Sequence, residues 1–475
     1  MGRIQMANMP NMPVYKNVDE WALSNWCADL KNGYMQKVED RLVTFKRPGL
    51  KEWADLGEGI GQPVDDIFWW ESAGYPVALC NGKLFKLEEF GGATQITGAV
   101  IEKGAVGTFV DYGATLYFAA KSKINSTQGV TATELSDVDA PTNVTHLALI
   151  DTYLIATNND DSFEWADADA PTVWQAISYA DAVAMEDDII AVKSAWDEVY
   201  LIGSQTMEVW YLSGGVEVFA RRPSSTVFRG CIAKHTPLFA DNALWYLDDT
   251  RRFVRIEGRS PKVMSEPFDR EIQKLDVVSD ARTFLCEWEG RNWIILNFPT
   301  ESRTFVMDFA TGLYMGEWTL WNQSMAQHER YIGNCVCYAK GFNKHLVGSR
   351  TESKIYTMDA DTYTDNSNII KFEKKTGHIS YQTLKDKRTY RYTYRIKRGF
   401  GGTSTPYMVE KHRDNGKQEW STERLIDLGK EGDYESIRNL HRMGHYRTRQ
   451  SHFSVTDNVP VIMIEAEEEV EAWRR

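Results

Sequence analysis

His146-Leu-Ala-Leu-Ile-Asp-Thr-Tyr-Leu-Ile155 reads as an apolar strand, a tight polar turn and a second apolar strand. Four later segments repeat the design: Ile190-Ala-Val-Lys-Ser-Ala-Trp-Asp-Glu-Val-Tyr-Leu-Ile202, Leu238-Phe-Ala-Asp-Asn-Ala-Leu-Trp-Tyr-Leu247, Phe284-Leu-Cys-Glu-Trp-Glu-Gly-Arg-Asn-Trp-Ile-Ile-Leu296 and Val336-Cys-Tyr-Ala-Lys-Gly-Phe-Asn-Lys-His-Leu-Val347. A third strand follows each, as in Ser162-Phe-Glu-Trp165, Met207-Glu-Val-Trp-Tyr-Leu212, Phe253-Val-Arg-Ile256, Thr304-Phe-Val-Met-Asp308 and Lys354-Ile-Tyr-Thr-Met358. With Tyr153, Tyr200, Trp245, Trp293 and His345 taken as equivalent, the spacings are 47, 45, 48 and 52 residues. A period of roughly 40–50 residues with three or four strands per unit is the signature of propeller blades. The pattern predicts a mainly β fold, a β-propeller of about six or seven blades. An array of small β-sandwich domains is the competing architecture, and the near-equal spacing favours the propeller. The Trp-Asp and Gly-His dipeptides that mark one large blade family are not in register here.

Working outward, Pro76-Val-Ala-Leu-Cys-Asn-Gly-Lys-Leu-Phe-Lys-Leu87 is two runs joined by Asn81-Gly82, a strong hairpin signal. Val110-Asp-Tyr-Gly-Ala-Thr-Leu-Tyr-Phe118 repeats the idea, so the strands before residue 130 supply one or two further blades. The expected organisation is an N-terminal arm and platform segment over 1–74, propeller blades over 75–370, and a C-terminal β-rich region over 371–475 that completes the platform or the propeller. Within the arm, Trp21, Leu23, Trp26 and Leu30 share a spacing compatible with one helical face, with Asp19-Glu20 suited to a first turn. Tyr34 to Gly49 then reads as an extended arm ending at the Pro48-Gly49 turn. Near residue 390 basic and aromatic residues alternate, as in Arg388-Thr-Tyr-Arg-Tyr-Thr-Tyr-Arg395, a pattern shared by solvated strands and binding surfaces.

The 475 residues carry 54 Lys and Arg against 67 Asp and Glu, a net charge of −13. That balance argues against nucleic-acid binding by wrapping phosphates, which draws its affinity from counterion release at a basic face. There is no run of about 18 apolar residues, hence no expected membrane-spanning segment. The start, Met1-Gly-Arg-Ile-Gln-Met-Ala-Asn-Met-Pro10, has no apolar signal core, so synthesis in a cytoplasm is expected. The six cysteines, Cys27, Cys80, Cys231, Cys286, Cys335 and Cys337, are too scattered for a disulfide framework. Cys335 and Cys337 read as neighbours on one face of a strand, without the second pair that a zinc site needs.

A search for catalytic chemistry selects no residues: none is expected to be catalytic, to bind a cofactor or to ligate a metal. Gly57-Glu-Gly-Ile-Gly61 and Gly399-Phe-Gly-Gly402 lack the Lys-Ser/Thr of a phosphate loop and read as turns. His441 and His445 stand at i, i+4 without an intervening catalytic Glu, and Gly444 weakens a helix there. The acidic clusters Asp65-Asp66, Asn158-Asn-Asp-Asp161, Asp187-Asp188, Asp248-Asp249 and Asp359-Ala-Asp361 sit at strand ends, where Asx turns need short polar side chains. Paired carboxylates could also serve a glycosidase. Asp414, Gly416 and Trp420 resemble the Asp-box hairpin of sialidase-type propellers, a turn stabiliser whose spacing to Trp420 is here one residue too long.

Two regions carry a family resemblance. The first runs from Ala281 to Trp318, with a strand pair ending at Phe298-Pro-Thr300, the Thr304-Phe-Val-Met-Asp308 strand and Trp318. The second holds Asp414, Gly416 and Trp420, then Leu428-Gly429, Gly432-Asp-Tyr434 and Gly444-His-Tyr-Arg447. Together, and with the Arg47-Pro-Gly49 turn, they resemble the packaged-DNA stabilisation or tail nozzle proteins of short-tailed, podovirus-type bacteriophages, over residues from about 30 to about 470. The resemblance implies a non-enzymatic virion protein made in the bacterial host cytoplasm. It implies a homo-hexamer forming a ring below the portal and adaptor, the head-to-tail connector. That ring would close the channel after packaging and carry tail spike, fibre or needle proteins. Double-stranded DNA would pass through the lumen without specific binding, and an acidic lumen, to which Glu465-Ala-Glu-Glu-Glu-Val-Glu471 could contribute, would repel phosphate and let it slide. The family's contact residues vary too much for any to be carried over.

The competing reading from another class is a carbohydrate-active propeller enzyme, a surface-polysaccharide depolymerase or sialidase-like glycosidase. It predicts a carboxylate-rich pocket on one propeller face with convergent Arg or Tyr. A generic scaffold propeller is a third.

Overall fold

The computed structural model describes residues 5–9, 12–17, 27–39, 41–158, 162–182, 187–215, 217–398, 405–433 and 435–472. Short alternating runs separated by left-handed turn residues produce antiparallel hairpins almost throughout. At the first of these, Asn81 and Gly82 take φ of 53° and 73°, the paired positive values that a two-residue hairpin needs. Among the described residues helix is confined to the short segments Asp269–Gln273 and Lys340–Phe342.

Seven sheets form a ring of blades: blade 1 (64–96), blade 2 (108–134), blade 3 (146–181), blade 4 (189–221), blade 5 (238–263), blade 6 (282–317) and blade 7 (333–359). Tyr153, Tyr200, Trp245, Trp293 and His345 all lie on the second strands of blades 3 to 7, which is why their spacing is nearly constant. Each pair of neighbouring blades encloses its own apolar layer, such as Trp70, Val77, Leu79, Leu116 and Phe118 between blades 1 and 2. The ring closes where the Asn334 side chain of blade 7 donates to the Val64 carbonyl of blade 1 at 2.9 Å.

The fourth strand of blade 7 is Gly49–Ile60, drawn from upstream of blade 1 and antiparallel to Glu352–Asp359; the short strands Thr364–Asp365 and Asn368–Ile369 continue the sheet beyond it. The propeller therefore does not begin at residue 75. Blade 1 starts at Val64, and the segment before it is the clasp of the last blade. The expected turn at Gly57 to Gly61 is instead mostly the end of this clasp. Gly57 and Gly59 kink it at φ of 76° and 92°, and the amides of Glu58 and Gly59 donate to the Ser353 hydroxyl.

Blade 6 does not stop at its fourth strand. Tyr314–Glu317 pairs in parallel with Cys27–Lys31, and the sheet continues through Phe372–Thr376, Arg449–Val455, Tyr407–Asp414 and Arg424–Asp427 to nine strands. A second sheet packs on this extension, ordered Gly33–Val38, Arg41–Lys46, Ile462–Ala472, Lys387–Lys397 and Ser436–His441. Tyr392, Tyr394, Ile396 and Met463 of the second sheet meet Met408, Phe453 and Val455 of the first, making a β-sandwich from both ends of the chain. Buried ion pairs fasten it to blade 6. Lys16 lies 2.7 Å from Asp29 and 2.6 Å from Glu317, which also receives Arg303 at 2.8 Å.

Two further expectations change. Cys27–Lys31 is a strand rather than the end of a helix, because the parallel and antiparallel partners on either side take its main-chain groups; residues 18–26 of the expected helix lie outside the described residues. Glu465 to Glu471 is not a loose terminus: it sits within a strand of the second sheet. There Glu465 pairs with Arg41, Glu469 pairs with Arg391, and the buried Glu468 accepts from the Tyr446 and Tyr381 hydroxyls.

Candidate functional site

The innermost strands of all seven blades converge on a central funnel, where a cavity of about 460 Å³ is lined by a set of polar residues together with Phe68, Leu238, Phe284 and Tyr338. Its polar set comes mostly from the starts of the inner strands and the segments that lead into them: Asp65 and Asp66 from blade 1, His146 from blade 3, Lys234 and His235 before blade 5, and Arg282 from blade 6, joined by Lys193 from further along the inner strand Ile189–Ala195 of blade 4. Inner strands run in a common direction, so one end of each reaches the same mouth of the funnel.

Burial governs the protonation of this set. It pushes the Asp66 carboxyl up to about 7, with Arg282 and Lys193 opposing the rise, and holds Asp65 up at about 6. Burial lowers His146 to about 3 with help from Lys193, and lowers His235 well below its ordinary value. His146 is therefore neutral. Its Nε2 faces the Lys234 carbonyl at 2.9 Å; a carbonyl only accepts, so Nε2 carries the proton, and Nδ1 lies 3.3 Å from the Thr145 hydroxyl. The two imidazoles lie 5.7 Å apart, centroid to centroid. The Lys193 ammonium is lowered by burial and partly restored by Asp66. The arrangement gathers Lys193, Lys234 and Arg282 around Asp65 and Asp66 inside a closed ring of strands.

The other acidic clusters hold turns. Asp187 accepts from the amides of Ser204, Gln205 and Thr206 at 2.8, 2.9 and 2.8 Å. Asp248 takes the amides of Thr250 and Arg252, and Asp359 that of Asp361. Asp65-Asp66 departs from the expected Asx turn, since Asp66 lines the funnel with Arg282 and Lys193; residues 159–161 lie outside the described residues.

Asp414 belongs to the sandwich rather than to a blade. It forms a two-point ion pair with the buried Arg449 at 2.6 and 2.8 Å, while Trp420 is covered by Arg413 at 4.9 Å. His441 and His445 are exposed on different strands, and Gly399 to Gly402 lie outside the described residues. All six cysteines are free, and Cys337 lines the funnel. Among the described residues no group of His, Cys, Asp and Glu has the geometry of a metal site. Of the polar set, sequence reading singled out only Asp65-Asp66, as a turn-holding acidic pair, and assigned no site role to any member. The available signal was positional, since Asp66 and Arg282 each stand near the start of an inner strand.

A family model described as Bacteriophage P22 Gp10, beta-propeller, matches residues 45–363. The chain belongs to that phage propeller family. The match begins at the end of the strand Arg41–Lys46, takes in the clasp and all seven blades, and stops just beyond blade 7, leaving most of the sandwich outside it. No curated relative matches the chain. Among solved structures, this Gp10-type propeller is similar to the computationally designed Ika8 protein, with 11% identity over 65% of this chain and 99% of that one and a TM-score of 0.39. The WD40 propeller domain of Doa1 has 11% identity over 66% of this chain and 97% of that one, with a TM-score of 0.42. PorZ, a surface component of the type-IX secretion system of Porphyromonas gingivalis, has 9% identity over 65% of this chain and 37% of that one, with a TM-score of 0.38. Likeness at this level carries no argument about function.

Proposed function

We propose that the protein is a structural component of a phage tail, the nozzle ring of a short-tailed virion. Six copies sit below the portal and adaptor, close the DNA channel after packaging, carry spike, fibre or needle proteins, and let the genome pass at ejection. The observation that carries this reading is the family match over residues 45–363. The fusion of blade 6 to the sandwich through one nine-stranded sheet supports it, because a part that holds back packaged DNA must transmit load without a hinge. In this reading the funnel polar set braces the inner strands, and the protein has no catalytic step.

Electron microscopy of the purified chain, alone and mixed with its portal–adaptor complex, tests the proposal. A six-fold ring in either sample is the expected result. A monomer that ignores the portal would refute it and return attention to bacterial surface polysaccharides as substrates.

A further inference from the structure

The cations of the funnel are gathered but not paired. Lys193, Lys234 and Arg282 line the cavity from blade 4, from the segment before blade 5 and from blade 6. Among the described residues none of the three forms an ion pair. Arg282 donates to the Asp65 carbonyl at 3.4 Å, and neither ammonium group donates a hydrogen bond. All three act on one pair of imidazoles. Lys193 and Lys234 lower His146, these two and Arg282 lower His235, and no carboxylate is among the main influences on either ring. The potential around the two rings is therefore positive. The His235 ring has no hydrogen-bond partner among the described residues, so its N–H is free to donate into the cavity.

The carboxylates of the cavity are engaged elsewhere or stand off. Asp65 faces the main-chain amides of Gly104 and Asn81, and Asp66 accepts from the Ile67 amide at 2.8 Å. Asp66 acts on Lys193 and Arg282 from beyond ion-pair distance. Glu287 is five residues along the strand from Arg282, about 16 Å away at roughly 3.3 Å per residue. Glu102, which offsets Lys234, is itself paired with Lys121 at 3.6 Å. Bracing of the inner strands accounts for the Arg282 bond. It leaves the two lysines without a role, although their desolvation and mutual repulsion cost stability.

We propose that the funnel binds the phosphate group of a small ester beside His146 and His235, with Lys193, Lys234 and Arg282 as its cationic donors. Cations arriving from three blades, joined by the His235 N–H, call for at least three acceptor oxygens spread in space. A tetrahedral phosphate offers them, and a planar carboxylate offers two. The cavity of about 460 Å³ leaves room beyond the phosphate, and Phe68, Leu238, Phe284 and Tyr338 give that room a lining suited to the carbon body of the ester. The site lies within one chain, so the inference goes beyond the nozzle reading and stands or falls apart from it.

Isothermal titration calorimetry of the full chain with inorganic phosphate and with glycerol 1-phosphate, in a buffer free of other oxyanions, tests the proposal. The ester should bind more tightly than the ion, and K193M and K234M should each weaken both by more than about 10-fold, the worth of one charge-assisted hydrogen bond. Thermal melting separates a ligand site from a brace. Removing an unpaired, desolvated ammonium should leave the melting temperature of K193M at or above that of the parent, and glycerol 1-phosphate should raise the melting temperature of the parent but not that of K193M. K234M, altered at a half-buried position, carries the test should K193M fail to fold. A parent that binds neither probe, or folded variants that bind both as the parent does, would overturn the inference. An ion that binds at least as tightly as the ester would overturn its ester part and leave a site for free phosphate.

Discussion

Replacing Arg47 by Met breaks a fully buried charge pair from one side. Arg47 is 1% exposed and donates to both oxygens of Asp365, which is fully buried. It also donates to Asn32 Oδ1 at 3.0 Å and to the Thr319 carbonyl at 3.3 Å, and its guanidinium stacks 5.0 Å from the Tyr331 ring. One residue thus ties the entry of the clasp to the end of blade 6, the start of blade 7 and the segment after it. In R47M the Asp365 carboxylate keeps its burial and loses its cation. Breaking a buried pair from one side costs about 3–5 kcal/mol, whereas replacing both members by apolar groups of similar size is often neutral. R47M should therefore fall by about 3–5 kcal/mol, and R47M/D365L should recover most of that loss. Urea unfolding followed by tryptophan fluorescence, with Trp318 beside the site, reads both losses. A double variant that loses the sum of the two single losses would refute the reasoning.

Asp66, held up to about 7 in the folded chain against about 3.9 when unfolded, contributes stability that is complete below the lower value and lost as pH rises through the higher. D66N should flatten this slope in thermal melts and exceed the parent near pH 8 by at most about 4 kcal/mol. Burial raises the Glu317 carboxyl, but Lys16 and Arg303 more than offset this and hold it below its ordinary range. E317Q should therefore lose about 3–5 kcal/mol at neutral pH, with the difference shrinking as the parent is acidified through that depressed value. At Gly49 an added Cβ would press on the Thr364 carbonyl oxygen and lie 2.6 Å from that of Thr362, so G49A should cost about 1–3 kcal/mol and speed amide exchange in Glu352–Asp359.

The blades were legible where local chemistry is repetitive. In blades 3 to 7 an aromatic or histidine on the second strand and a tight turn before it recur at a nearly fixed interval, and in blades 3 to 6 these aromatics pack the apolar layers. Blade 2 is harder to read because its outer strands, Asn125–Thr127 and Ala132–Glu134, are three residues each. Blade 1 opens with Val64-Asp-Asp66, which looks like a turn until the funnel supplies Arg282 and Lys193 opposite. The clasp left no local trace, since a strand whose partner lies so far along the chain has no periodic signal tying the two together. Cys27–Lys31 shows the same limit: helical spacing upstream said nothing of the edge of blade 6 that takes it up. The funnel as a site was invisible for a related reason, its polar members being one or two residues from each of five separate stretches.

The clasp also sets a clock. Gly49–Ile60 leaves the ribosome about 300 residues before Glu352–Asp359, the strand it must join. At roughly 5–20 residues per second this is a wait of about 15–60 s. During that wait the nascent clasp is a strand without a partner, and six blades can stack while the seventh place stays open. Its own sequence suits the interval: Lys51, Glu52, Asp55 and Glu58 spread charge along it, a protection against premature pairing with a neighbouring nascent chain. The propeller is thus finished by one of its earliest-made strands, and only after about three quarters of the chain exists.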